Sequence, residues 1–169
     1  MDIKKVVVIG SGTMGSGIAA QVANAGIPVY LLDISSEISQ NAFERIKKSR
    51  PPLLMNESVS KFIYPGNTED DLHHINDADW VVEAVVEQID IKRSIYKKID
   101  LRRKSSALVS SNTSSIPLQV LAEEMSEEMK KVFCITHFFN PVRYMRLLEL
   151  AITSMNNRKK IDELKLFCD

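Results

Sequence analysis

The sequence predicts an α/β protein: a doubly wound, mainly parallel sheet with helices on both faces. Three observations carry that prediction. Short β-branched runs alternate with stretches of helical period along the chain. A glycine-rich turn joins the first such run to the first helical stretch. The chain has 169 residues, 44% of them hydrophobic and 26% charged, which suits one domain, residues 1–169, with an ordinary core.

Lys4 to Ile9 is a short β-branched run that ends at glycine, the composition of a strand buried on both faces. From Met14 to Ala25, Ile18, Ala19, Val22 and Ala23 recur at helical spacing, and Gly26 fits the position just past a helix end. Ile27 to Leu32 reads as a second strand, and Glu37 to Lys48 as a helix with Ile38, Ala42, Phe43 and Ile46 inward. Strand, helix, strand is a βαβ unit. Pro51 and Pro52 cannot continue that helix, so Ser49 to Ser60 is expected as a surface excursion. Lys61 to Tyr64 is a candidate strand closed by Pro65-Gly66-Asn67, and Trp80 to Val86 is a stronger one. Gln88 to Arg103 is expected as a helix with Ile91, Ile95 and Ile99 on one face. A strand at Ala107 to Val109 and a helix from Ile116 to Met125 follow, then strands at Lys131 to Thr136 and Arg146 to Ile152. Asn156 to Cys168 begins a helix with Ile161, Leu164 and Phe167 on one side. That pattern runs into the last residue without a cap, so the chain is expected to be cut short relative to a larger architecture.

Composition excludes several function classes. Twenty-two basic residues balance 22 acidic ones, which argues against a nucleic-acid partner or a polybasic membrane patch. No apolar run approaches the ~18 residues of a membrane span, and Met1 to Val8 lacks the apolar core of a signal peptide. Cys134 and Cys168 are too few for a disulfide scaffold and wrongly spaced for zinc, so no metal is expected. A cytoplasmic protein is the expectation.

Gly10-Ser11-Gly12-Thr13-Met14-Gly15 matches G-x-G-x-x-G and lies directly between a strand and a helix. The first glycine allows the tight turn, the second lets a pyrophosphate approach the backbone, and the third lets helix and strand pack closely. The phosphates would sit on the helix N-terminus. Asp33 ends the second strand 18 residues after Gly15, near the ~20-residue offset of a ribose-binding carboxylate. No arginine follows it in Ile34-Ser35-Ser36, which favours NAD over NADP as cofactor.

Two further clusters fall at strand ends, where open α/β sheets bind ligands. Ser110-Ser111-Asn112-Thr113-Ser114-Ser115 precedes a helix, where such clusters more often serve as caps. His137-Phe138-Phe139-Asn140-Pro141 ends a strand, and Glu149 lies in the next one. If the chain doubles back, His137 and Glu149 could meet across neighbouring strands. A carboxylate on one imidazole nitrogen fixes the tautomer and leaves the other nitrogen as a general base.

The combination GSGTMGSGIA, VVEAVVE, SNTSS and HFFNPVRYMRLLEL resembles the NAD-binding domain of the L-3-hydroxyacyl-CoA dehydrogenases of fatty-acid β-oxidation, from Lys4 to about Cys168. The resemblance implies a Rossmann-like fold, an acyl-CoA substrate, and oxidation of L-3-hydroxyacyl-CoA to 3-ketoacyl-CoA. It implies His137 as the base, Glu149 as the carboxylate that orients it, and Ser114 near both the reacting oxygen and the nicotinamide. By the same resemblance Glu87 and Lys92 lie beside the cofactor ribose and Asn140 beside the nicotinamide, with Glu83 a lesser candidate. The β-hydroxyacid dehydrogenases share a similar glycine loop but use a lysine, and HFFNP argues against them.

Two departures bear on function. The resemblance implies a C-terminal helical domain that closes over the acyl chain and carries much of the family's dimer contact, and the expectation here is a chain cut short of it at Asp169. The expected partners are therefore a separate helical-domain chain or a homo-oligomer. The other reading is a non-catalytic NAD-binding remnant or split-enzyme module. The Arg50 to Asn67 stretch is also shorter than the family's basic arm against CoA; Lys47, Lys48 and Arg50 are candidates for phosphate contact beside the commoner role of solvated charges.

Overall fold

The computed structural model describes residues 3–169; Met1 and Asp2, the start of the stretch read for a targeting signal, lie outside them. Its strands are β1 (Val6–Ile9), β2 (Val29–Asp33), β3 (Ile63–Asn67), β4 (Trp80–Glu83), β5 (Leu108–Ser111), β6 (Phe133–Phe138) and β7 (Leu148–Ala151). They form one sheet in the order β3-β2-β1-β4-β5-β6-β7. All pairs are parallel except β6 with β7. The helices are α1 (Thr13–Asn24), α2 (Ser36–Lys48), α3 (Ile89–Asp100), α4 (Leu118–Ala122), α5 (Glu127–Lys130) and α6 (Arg158–Cys168). Among the described residues, no helix is long and apolar enough to cross a membrane.

The two faces follow from the period of the buried strands. In β1, Val6 and Val8 join a core with Ile18, Ala19, Ala42, Ile46, Ile161 and Leu164, from α1, α2 and α6. Val7 and Ile9 point the other way, into a core with Tyr96, Ile99, Leu121, Met129 and Phe133, from α3 to α5 and β6. Successive side chains alternate across a strand, so one apolar run serves both layers. Gly26, at φ +76, ends α1 as expected.

Several boundaries differ from expectation. β3 runs through Pro65 and Gly66 instead of stopping before them, because it is an edge strand, where proline's missing N–H costs no ladder bond. β4 ends at Glu83 instead of Val86, since the Glu83 carboxylate captures the Val85 amide at 2.8 Å and turns the chain. The helix expected over Ile116–Met125 is shorter and is followed by a separate turn. Thr113 Oγ1 takes the Ser115 and Ile116 amides, which delays α4, and Ser126 caps α5 through the Met129 amide. Ile38 and Ile91, expected inward, are exposed. On α3 the buried side chains are Lys92, Tyr96 and Ile99.

The lower edge of the sheet is stapled by Asp79. Its Oδ2 accepts the Lys4 and Lys5 amides at 2.8 and 3.1 Å, and Lys104 donates to Oδ1. Burial pushes this carboxyl up, but Lys104 and the two amides outweigh that and hold it below its ordinary value. A lowered folded-state value means stability that is present above the unfolded-state value and lost as pH falls through the folded one. Asp79→Asn is therefore expected to cost about 1–3 kcal/mol near neutral pH, and the deficit should shrink markedly at pH ~3. Urea unfolding at both pH values checks this, and an equal deficit at both would contradict the charge assignment.

Candidate functional site

The carboxyl ends of β1, β2, β4, β5 and β6 meet along one edge, which holds the glycine loop, Asp33, Glu87, Ser114, His137 and Asn140, whereas Lys47, Lys48 and Arg50 lie at and beyond the end of α2 and line neither the cleft beside Asp33 nor that beside His137. Gly10 leaves β1 at φ +100, and a Cβ on it would stand 2.5 Å from the Ala84 carbonyl oxygen. A Cβ on Gly15 would stand 1.8 Å from the Gly10 carbonyl oxygen, so only glycine lets α1 start this close to the strand. At Gly12 a Cβ would meet nothing within 4 Å. The protein does not itself require glycine there; the open space in front of the α1 N-terminus suits a pyrophosphate, which needs the backbone bare.

Asp33 reaches across from β2. Its Oδ2 accepts from the Ser11 amide (2.6 Å) and hydroxyl (2.7 Å), and its Oδ1 from the Ile34 amide (2.8 Å). It borders a cleft of about 370 Å³ shared with Gly10, Ile34, Ile91, Ile95 and Lys98. Of the isoleucines expected on one face of α3, Ile91 is exposed on this cleft, and Ile95 borders it while also packing against the core. Arg45 also arrives here, its guanidinium 3.4 Å from the Ser11 carbonyl oxygen. Reading only the residues next to Asp33 misses it, because it comes from the far end of α2.

A second cleft, about 360 Å³, is lined by Met14, Glu87, Ser114, His137, Phe139 and Asn140 among others. The chain does double back: His137 and Glu149 are register partners across the β6–β7 pair. His137 Nδ1 and Glu149 Oε2 are 2.8 Å apart, leaving Nε2 without that partner. Asn112, within SNTSS but not singled out, accepts the Phe138 amide at 2.9 Å and so ties the end of β5 to the residue after His137. Thr13 is exposed at the start of α1, and Ser114 and Asn140 are exposed beside the cleft.

Glu87 and Lys92 do not sit side by side at the surface. Lys92 is 1% exposed, with its ammonium 2.7 Å from Glu83 and 2.9 Å from Glu87, whereas the Glu87 side chain is 40% exposed. Glu87 accepts the Thr113 hydroxyl at 2.6 Å and the Ser114 amide at 3.2 Å. Burial pushes the Glu87 carboxyl up, but Thr113, Lys92 and the Ser114 amide together hold it below its ordinary value. Glu83, the lesser candidate, proves to be fully buried with both of its carboxylate oxygens bonded, and its position on an apolar strand gave no signal of that.

A mainly parallel sheet with a glycine cradle at its carboxyl edge has the form of a dinucleotide-binding domain. Residues 5–169 match the family described as 3-hydroxyacyl-CoA dehydrogenase, NAD binding domain, and the chain belongs to that family. It is 41% identical to a probable 3-hydroxyacyl-CoA dehydrogenase of Deinococcus radiodurans, over 100% of this chain and 51% of that protein. It is 46% identical to a putative fatty acid oxidation complex trifunctional enzyme of Rickettsia felis, over 98% of this chain and 24% of that protein. The chain thus spans about half the length of the first and about a quarter of the second. The crystal structure of (S)-3-hydroxybutyryl-CoA dehydrogenase from Ralstonia eutropha superposes with a TM-score of 0.83 at 29% identity, covering 99% of this chain and 60% of that one.

The glycine geometry separates two roles. Gly12→Ala should change stability by no more than about 0.5 kcal/mol but weaken NADH binding about tenfold or more, by filling the phosphate approach. Gly15→Ala should unfold more easily by about 1–3 kcal/mol or more and lose binding as well. Thermal unfolding and NADH calorimetry on both variants check this; unchanged NADH affinity in Gly12→Ala would move the phosphates elsewhere.

Proposed function

We propose that this chain forms the cofactor-binding half of a dehydrogenase that oxidises L-3-hydroxyacyl-CoA to 3-ketoacyl-CoA. The observation that carries the reading is the 2.8 Å contact of His137 Nδ1 with Glu149 on the cleft that Ser114 also borders. Glu149 holds the imidazole so that Nε2 is the nitrogen available to take the 3-hydroxyl proton. Bound NAD+ supplies the acceptor for the hydride that leaves C3 as the carbonyl forms. Ser114 lines the cleft, where its hydroxyl would donate to the reacting oxygen, and Asn140 borders the same space. Gly12 and its neighbours leave the pyrophosphate path open, and Asp33 offers the ribose a carboxylate already fixed by Ser11.

The exposure of His137 and Glu149, 22% and 60%, favours a covering helical domain or chain that excludes water over the acyl group, and the relatives' greater length supports this. A reducing compartment such as the cytoplasm fits the two unpaired thiols, Cys134 and Cys168, each of which burial pushes up to about 12.

The test is NADH oxidation driven by acetoacetyl-CoA, by this chain alone and with the helical domain of a longer relative added. Turnover is expected in the second arm at least. There, His137→Ala should lower kcat by ~10²–10⁴ and Glu149→Gln by less, with NADH affinity nearly unchanged in both. A fully active His137→Ala protein would place the base elsewhere. NADH binding with no turnover in either arm would leave a non-catalytic dinucleotide module.

A further inference from the structure

Glu83 is fully buried at the end of β4, and its two oxygens take four donors. Oε1 accepts from Lys92 Nζ at 2.7 Å and the Val85 amide at 2.8 Å. Oε2 accepts from the Tyr96 hydroxyl and the Ser111 hydroxyl, both at 2.6 Å. Burial and the neighbouring Glu83 charge push the Tyr96 phenol far above its ordinary value, which keeps it a donor. The Glu83 backbone carbonyl takes the Asn112 amide at 2.8 Å. Lys92 then passes the connection to Glu87, which takes the Thr113 hydroxyl, the Ser114 amide and, at 3.4 Å, the Ser115 hydroxyl. Of the five successive residues Ser111 to Ser115, four are thus bonded to one or other of these two carboxylates, and the fifth, Asn112, to the Glu83 backbone carbonyl.

We propose that Glu83 is a positioning residue of the nucleotide site. By sharing the Lys92 ammonium with Glu87, it sets where Glu87 grips the Thr113–Ser115 turn, and so where Ser114 stands in the cleft. The inference rests on the proposed function for the roles of Glu87 and Ser114. Buried ion pairs are poor stabilisers, because the desolvation of two charges offsets their attraction. A buried Glu–Lys pair whose far end is an exposed carboxylate on a ligand cleft is better accounted for by the geometry it imposes. Lys92 accordingly acts through Glu87 and not as a free cation at the ribose.

The test begins on the ligand-free full chain. In ¹H–¹⁵N spectra, Glu83→Gln should displace the Ser114 amide signal in the same direction as Glu87→Gln, although Glu83 does not touch Ser114. Each variant should weaken NADH binding about tenfold, and the double variant should be no weaker than Glu87→Gln alone, since residues acting in series are not additive. Ile99→Ala, a cavity on the same helix, should lower Tm while leaving the Ser114 signal and NADH affinity unchanged. The proposal is overturned if the Ser114 signal of Glu83→Gln coincides with that of the parent, if the two losses add, or if Ile99→Ala reproduces the effect. Should Glu83→Gln fail to fold, the charge-neutral pair Glu83→Gln/Lys92→Met is expected to fold and show the same displacement and loss. If the parent binds no NADH, the proposed function fails, while the ligand-free spectra still decide the relay.

Discussion

The closeness of α1 to the turn that leaves β1 is the constraint on which the rest of the site depends. Gly15 lets the helix begin against the Gly10 carbonyl, and Gly10 turns at positive φ beneath Ala84. The same small face continues to Gly17, where a Cβ would meet the Val142 side chain at 2.8 Å. Val142 lies just past Asn140 and Pro141, so α1 seats both the phosphate loop and the connection that follows His137. A methyl group at Gly15 would thus move two parts of the site at once.

The second determinant is a layer of satisfied polar groups under the carboxyl edge. Ser110 accepts the Trp80 indole N–H at 2.9 Å and pairs with the Thr136 hydroxyl at 2.7 Å, joining β4, β5 and β6 side by side. Glu83 extends the layer to α3 and the Ser111–Ser115 segment. Fully bonded networks in a low-dielectric interior are rigid, and each member is costly to leave unpaired. On the other side, Arg143 donates to the Pro52 and Leu54 carbonyls at 2.8 Å, and Tyr144 to Pro52. The proline-broken excursion after α2 is therefore held against the β6–β7 connection.

Much of this was legible locally. The alternation of β-branched runs with helical periods yields all seven strands and the long helices, because each such element is stabilised by hydrogen bonds and burial along a short stretch of chain. The errors fall where a side chain overrides the pattern. Ile91 has the spacing of a core face, yet it is exposed on the cleft beside Asp33 and Ile95 is shared between that cleft and the core, while Lys92 and Tyr96 go inward to meet Glu83. Pro65 reads as a strand terminator, yet the edge position of β3 removes the reason for it to be one.

The sequence by itself determined the doubly wound architecture, the glycine loop with its carboxylate at Asp33, and the candidacy of His137 with Glu149. The tertiary structure alone decided that β6 and β7 pair in the register that sets those two opposite one another, and that Arg45 reaches the glycine loop. It also decided that Lys92 lies buried between Glu83 and Glu87. The reason is physical. Period and turn chemistry reflect forces between residues a few positions apart, whereas strand register and the burial of a charge depend on partners brought together only when the layers close.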